Sequence, residues 1–172
     1  GTVAGVTPSS RDPRLVTVRR GGSLSDSDHR LLATWVAACA ERTLPLFVMA
    51  CPQDTRPADA LAVARRWAAG ECSMADARAA AVAAHAAARS TSGPGVAAAR
   101  ACGHATATAH MADHALVGAY YALLAMEANG ASPEQLDAER VWQVEALPGP
   151  IADLVLADMS RGASKFRDKF SR

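Results

Sequence analysis

The sequence predicts an all-α fold: a single-domain bundle of about five to six helices, with a long central helix and an extended N-terminal arm. Three observations support this. About a quarter of the residues are alanine, which favours helices over strands. Apolar residues recur at helical spacing, and turn residues separate the apolar segments. The 172 residues are also enough to bury a sizeable core.

The long central helix is predicted from the stretch that runs from Arg100 to Met126, which has very few charged residues and continues to Ala128. At about 100° per residue, one stripe of this helix carries small residues, two histidines and a tyrosine. The members of the stripe are Gly103, Ala107, His110, His114, Gly118, Tyr121 and Ala125. A helix that is apolar nearly all round is typical of the centre of a bundle, so we expect neighbouring helices to pack closely against it.

The first helices are predicted from their start and stop residues. Ser25 is a suitable N-cap with Asp28 as its partner in the first turn. Pro45 lies within the apolar pattern that follows and should kink or end the first helix. Pro57 suits the first turn of a second helix, and Gly70 is a natural stop for it.

Later helices follow the same rules. Two capping-box patterns predict helices that run to about Arg89 and Ala146: Ser73 with Asp76, and Ser132 with Gln135. A short amphipathic helix is predicted over residues 151–159, and Phe166 and Phe170 are spaced to bury one face of a final turn.

Residues 1–24 are predicted to be the extended arm, and residues 25–172 the all-helical domain. Within the arm, the stretch from Leu15 to Val18 has the character of a short extended segment that ends at Gly21-Gly22. A lone strand cannot satisfy its own backbone groups, so it should lie across the bundle or pair with a second copy of the chain. The second arrangement would give a homodimer.

Composition argues against several classes of partner. The formal net charge is +1, without the basic excess of a nucleic-acid-binding protein or the basic helix face of a membrane-surface protein. His, Asp or Arg interrupts every apolar run, so no membrane span is predicted. The four cysteines form no CxxC pair, and we expect buried free thiols in a reducing cytoplasm: Cys39, Cys51, Cys72 and Cys102.

The histidines are the first candidate for a functional site. His110 and His114, four residues apart, could bind one metal ion from one helix face, with His85 or a carboxylate from another helix completing the shell. Asp113 points about 100° away from both, and no glutamate stands beside His110 to act as a base. The interpretation that the sequence favours is that these histidines are core groups bonded to Tyr, Thr or backbone partners, and no cofactor is expected.

Arginines give the second candidate. Arg78, His85 and Arg89 form one line on a helix, which is either its solvent side or a cationic strip that meets an acidic partner or a phosphate. The pair Arg65-Arg66 is interpreted as solvated surface. No serine, threonine or cysteine lies in an activating context, so the sequence predicts no catalytic residue and no enzymatic activity.

A series of short motifs follows in a recognisable order. They are Asp12-Pro13-Arg14, residues 16–22, residues 24–35, residues 39–42, residues 44–47, Arg56-Pro57, residues 68–71, Ala-His-Ala-Ala-Ala-Arg at 84–89, Ala-Thr-Ala-His at 107–110, Leu147-Pro148 and residues 154–158. On these motifs residues 12–160 resemble the immunity-five-like family of bacterial immunity proteins, which are small, alanine-rich and helical. The resemblance implies a protein that neutralises a toxin by binding it and is encoded near a polymorphic toxin system.

The leading hypothesis is therefore a cytoplasmic, non-enzymatic protein that occludes a toxin. Its partner contacts are expected to include four charged surface groups: Arg65, Arg66, Arg78 and Arg89. The alternative is a metal- or small-molecule-binding bundle, open to an enzymatic role, with a centre built from His85, His110, His114 and Tyr121.

Overall fold

The computed structural model describes residues 12–161, which form eight α-helices and two single-turn 3-10 helices. The α-helices are α1 Asp26–Glu41, α2 Leu44–Ala50, α3 Arg56–Ala68, α4 Met74–Arg89, α5 Pro94–Ala107, α6 His114–Ala128, α7 Pro133–Glu145 and α8 Gly149–Arg161. No β-strand occurs between residues 12 and 161, so the predicted all-α class is confirmed. The predicted number of five to six helices is too low, because two of the predicted helices are each divided in two.

The first division lies between α1 and α2, which meet at an angle of 47°. Pro45 is in the first turn of α2, where its missing N–H costs no helical hydrogen bond. The prediction that Pro45 kinks or ends the first helix is confirmed. Between residues 12 and 161, no single helix has both the length and the hydropathy of a membrane span; α1 and α2 meet that test only when taken together across their bend.

The second division corrects the predicted long central helix. The chain leaves the helix after Ala107 and resumes it at His114. Two threonine hydroxyls donate to carbonyls four residues back at the end of α5: Thr106 to Cys102 at 2.8 Å and Thr108 to His104 at 3.1 Å. Such back-bonding weakens and bends a helix, although no Gly or Pro marks this position.

Because of this break, α5 and α6 pack along one another as a hairpin at the centre of the domain. Helices α1, α3 and α4 cover the hairpin. Helix α7 packs against α6 at the edge of the hairpin, and α8 packs against α1. Small residues make the close approach possible: a Cβ atom built on Gly118 would lie 2.5 Å from Cγ2 of Val36 and 3.2 Å from the backbone nitrogen of Ala105. The prediction that small residues permit close helix packing here is confirmed.

The predicted N-terminal caps are confirmed. The Ser25 hydroxyl accepts a hydrogen bond from the backbone N–H of Asp28 at 3.1 Å. Complete capping boxes, with both reciprocal hydrogen bonds, start α4 at Ser73 and α7 at Ser132. These local interactions fix where three of the helices begin.

Residues 12–24 differ from the expected extended segment. They form two 3-10 turns, Pro13–Leu15 and Val18–Arg20, and the two residues between these turns, Val16 and Thr17, have extended backbone angles. Leu15 and Leu24 are each 3% exposed and belong to the main hydrophobic cluster. This stretch therefore contributes to the core of its own chain, whereas residues 1–11 and the predicted final turn with Phe166 and Phe170 lie outside the described residues.

All four cysteines are free. Cys39 and Cys102 are buried as expected, whereas Cys51 and Cys72 are only half-buried. Burial raises the pKa of the Cys102 thiol to about 12, so this sulfur is protonated at neutral pH.

Candidate functional site

A cluster of histidine rings surrounds the break between α5 and α6. His104 on α5 lies at its centre: its ring centroid is 4.7 Å from that of His85 on α4 and 5.2 Å from that of His114 on α6. Tyr121 stacks on His104 at 5.0 Å, and His110 in the connecting turn lies 5.4 Å from His114. The structure thus brings together the four residues expected from the sequence, around a fifth that sequence reasoning missed.

The missed residue is His104, and the reason lies in the predicted long helix. In one continuous helix, His104 and His114 would be separated by about 15 Å along the axis and would point about 80° apart. The turn at residues 108–113 folds α6 back along α5, so the two rings meet. The threonines Thr106 and Thr108 were the only local signal of this turn in the sequence.

Hydrogen bonds orient the rings. The Nδ1 atoms of His104 and His114 are 3.0 Å apart, so one of them donates to the other. A guanidinium can only donate, and Nη1 of Arg100 lies 3.1 Å from Nδ1 of His85. The neutral His85 ring therefore carries its proton on Nε2. This ring also lies against the α5 backbone, since a Cβ atom on Gly103 would come within 2.7 Å of it.

The environment keeps two of these rings neutral. Burial is the main cause that lowers the pKa of His85 to about 4, and the nearby charges of Arg100, His114 and Arg89 add to the effect. Burial also lowers the pKa of His110, with further contributions from His114, Arg78 and Arg20, and Asp113 opposes the shift. Both rings are thus uncharged at neutral pH, within a field of permanent arginine charges.

The geometry does not fit the metal-binding alternative. Nδ1 of His85 accepts from Arg100, and the Nδ1 atoms of His104 and His114 face each other. Within residues 12–161, no group of three or more His, Cys, Asp or Glu side chains is arranged to hold a metal ion. These three Nδ1 atoms are used in contacts between helices.

The four arginines expected to contact a partner lie on α3 and α4. Arg65 is half-buried and pairs with Glu41 of α1 at 2.8 Å. The side chains of Arg66, Arg78 and Arg89 are exposed, and none of them forms an ion pair with another residue in the described part of the chain. Three permanent positive charges on these two helices are therefore available to a partner.

The surface formed by residues 12–161 carries clefts, two of which lie beside charged side chains. The larger, of about 1040 Å³, lies between the α1–α2 corner, the end of α6 and the length of α7, and Arg42, Glu139 and Trp142 line it. The smaller, of about 440 Å³, lies between the N-terminal turns, α1, the end of α3 and the turn that joins α5 to α6. His110 lines the smaller cleft, which therefore adjoins the histidine cluster.

Comparison with known proteins places this fold in a family. The family model of the Imm-5 like putative immunity proteins matches residues 22–150, about three-quarters of the chain. The chain belongs to this family. The resemblance predicted from the sequence motifs is thereby confirmed. No curated protein and no solved structure matches the chain.

The match to the Imm-5 like family includes α1 to α7 and the whole histidine cluster. It also includes the four arginines on α3 and α4. Most of α8 and the turns at residues 13–20 lie outside the matched residues. The histidine cluster and the four arginines therefore lie in the part of the chain that the family model matches, whereas part of the smaller cleft lies outside it.

The neutral His85 ring gives this Imm-5 like protein a predicted sensitivity to acid. The unfolded chain takes up a proton near pH 6.5, whereas folded His85 does so only near pH 4. The folded protein therefore loses stability relative to the unfolded chain as the pH falls from 6.5 to 4. The contribution of the neutral His85 ring to the free energy of unfolding is complete above pH 6.5. Because the ring is partly exposed, we expect a loss of about 1–2 kcal/mol.

Urea unfolding at the two ends of this pH range measures the effect. In His85→Gln, the amide oxygen can still accept from Arg100 but nothing titrates at this position. The pH dependence of the variant should be shallower than that of the wild type. An identical pH dependence in the two proteins would show that the folded protein does not hold His85 as a neutral ring.

Proposed function

We propose that this protein neutralises a bacterial toxin by binding it directly, without chemistry, in the cytoplasm. The observation that carries the proposal is its membership of the Imm-5 like family over residues 22–150. Immunity by binding requires a stable surface and no catalytic group. Four of the clustered polar groups contact one another across α4, α5 and α6, as expected of packing groups: His85, Arg100, His104 and His114.

The proposed contact surface is the α3–α4 face. Arg66, Arg78 and Arg89 are exposed there and form no ion pair at 4.0 Å or less within residues 12–161, so a toxin would not have to break ion pairs to reach them. Arg65 is different, because its pair with Glu41 must be exchanged for a contact with the partner. Charges at such a surface raise the association rate and select a partner of complementary charge.

The bundle suits tight occlusion of a toxin. Both elements of the proposed face are helices anchored in the core: Ala60, Leu61 and Ala64 on α3 and five alanines on α4 are buried. A surface that is ordered before binding loses little conformational entropy on association, so more of the contact energy appears as affinity.

Replacing all four arginines tests this surface. The variant Arg65→Gln/Arg66→Gln/Arg78→Gln/Arg89→Gln should bind the toxin encoded beside this gene at least about 100-fold more weakly, mainly through a slower association. Stopped-flow or surface binding measurements at low and high salt would give both rates. Arg140→Gln on α7 removes a charge away from the proposed face and is the control. Wild-type affinity of the fourfold variant would exclude this surface.

A further inference from the structure

The 440 Å³ cleft beside the histidine cluster combines cationic and apolar walls. Arg20 from the second 3-10 turn and Arg30 from α1 contribute two guanidinium groups. Trp67 at the end of α3 and Met74 at the start of α4 contribute apolar surface. Ligand pockets commonly combine apolar surface with a few placed polar groups, and the volume of this cleft lies within the usual range.

The cleft has an excess of positive charge. Arg20 and Arg30 are exposed, and neither is ion-paired to a carboxylate within residues 12–161. The acidic residue that lines the cleft is Asp26, whose carboxylate lies 4.0 Å from Arg19 with both side chains largely exposed. A pair of this kind contributes little and leaves the other two guanidinium groups uncompensated.

His110 adds a third potential donor. Its Nδ1 atom is buried and has no hydrogen-bond partner in the described part of the chain. The other ring nitrogen, Nε2, is not fully buried, and it also has no hydrogen-bond partner among the described residues. A neutral ring with these surroundings is most stable with its proton on Nε2, where water or a ligand can accept it. A donor without a protein acceptor therefore stands on the turn that lines the cleft.

We propose that this cleft receives a carboxylate side chain from an acidic segment of the toxin, with an apolar neighbour of that residue seated on Trp67 and Met74. The inference rests on the proposed function and names the chemistry of the partner. Arg20 and Arg30 match a carboxylate in charge and in hydrogen-bonding geometry, and Nε2–H of His110 supplies a further donor. Asp26 at the cleft and Asp113 beside His110 disfavour a polyphosphate backbone, which needs a continuous cationic track.

A peptide experiment tests the cleft without the toxin. The probe is an acetylated, amidated peptide of alternating glutamate and leucine, with a matched peptide in which glutamine replaces each glutamate. In NMR titrations at millimolar peptide, the acidic peptide should shift the ring signals of His110 and the indole signal of Trp67. Arg20→Gln/Arg30→Gln should weaken its binding about tenfold.

Arg56→Gln is the control for the loss of a distant positive charge, because Arg56 lies at the opposite end of α3 from Trp67, and the affinity of this variant for the acidic peptide should equal that of the wild type. Arg20 and Arg30 are exposed, so the thermal unfolding midpoint of the double variant should match that of the wild type. Absence of binding, equal binding of the glutamine peptide, or equal binding by the double variant would each overturn the proposal.

The outcome is separable from that of the proposed function. A toxin that binds the wild type and Arg20→Gln/Arg30→Gln with equal affinity would exclude the cleft and leave immunity by binding intact. If the cleft binds the acidic peptide but the protein has no affinity for the toxin, immunity by binding is excluded and the peptide site in the cleft remains.

Discussion

Replacing Arg42 with methionine is expected to lower the free energy of unfolding by about 2–3 kcal/mol. Glu139 is the reason, since its side chain is only 7% exposed and accepts two hydrogen bonds from Arg42, at 2.6 and 3.0 Å. The Arg42 guanidinium also lies 4.0 Å from the ring centre of Trp142. Without Arg42, a buried carboxylate loses its counter-charge, although the 42% exposure of Arg42 shows that water can reach part of the pair.

Equilibrium unfolding in urea measures this loss, and the double variant Arg42→Met/Glu139→Leu is its control. Removing both charges should recover at least half of the lost stability, because no unpaired group remains. If Arg42→Met costs less than about 0.5 kcal/mol, the pair behaves as an ordinary surface ion pair, and Glu139 does not depend on Arg42 as its counter-charge.

The second large effect is expected from Gly118→Ala, with a loss of about 2–3 kcal/mol. The new Cβ would lie 2.5 Å from Val36 and 3.2 Å from the backbone of Ala105, so α1 and α5 would both have to move away from α6. Alanine gains about 1 kcal/mol in helix propensity over glycine, and the steric cost must exceed this gain.

Gly95→Ala is a matched control for Gly118→Ala. Gly95 is also a buried helical glycine, but the nearest atom to its added Cβ is 3.5 Å away, which is an ordinary contact. Its thermal unfolding should be unchanged or slightly higher than that of the wild type. Equal stability of the two alanine variants would show that the α5–α6 hairpin is packed less closely than described.

The parts of the fold that depend on nearest neighbours were predictable. Ser73 and Ser132 start helices because each hydroxyl satisfies a backbone N–H three residues away, and Pro45 separates two helices for an equally local reason. Such interactions need only a few residues of sequence, so they can be recognised before the tertiary structure is known.

The division of the long central helix depends on size as well as on sequence. A continuous helix over residues 96–128 would be about 50 Å long, whereas a compact domain of this length is about 40 Å across. The chain must therefore turn within this segment, and the Thr106 and Thr108 hydroxyls hold the turn in place. Composition and periodicity alone favour the uninterrupted helix because the segment contains no proline.

The composition of the candidate sites also could not be predicted from local sequence alone. His110 and His114 attract attention because they are four residues apart, but His104 joins them only through the turn. The small cleft takes Arg20, Arg30 and Trp67 from three separate elements. Contacts between residues so distant in sequence follow from the packing of the helices, and no local spacing indicates them.

Co-expression with a candidate toxin encoded near this gene, combined with a binding measurement on a catalytically inactive form of that toxin, is the decisive test of immunity by binding. If immunity works by binding, this chain restores growth of cells that express the active toxin, and the purified proteins form a stable complex. Restored growth without a complex would contradict neutralisation by binding. A toxin that kills equally with and without this chain would contradict the immunity function itself.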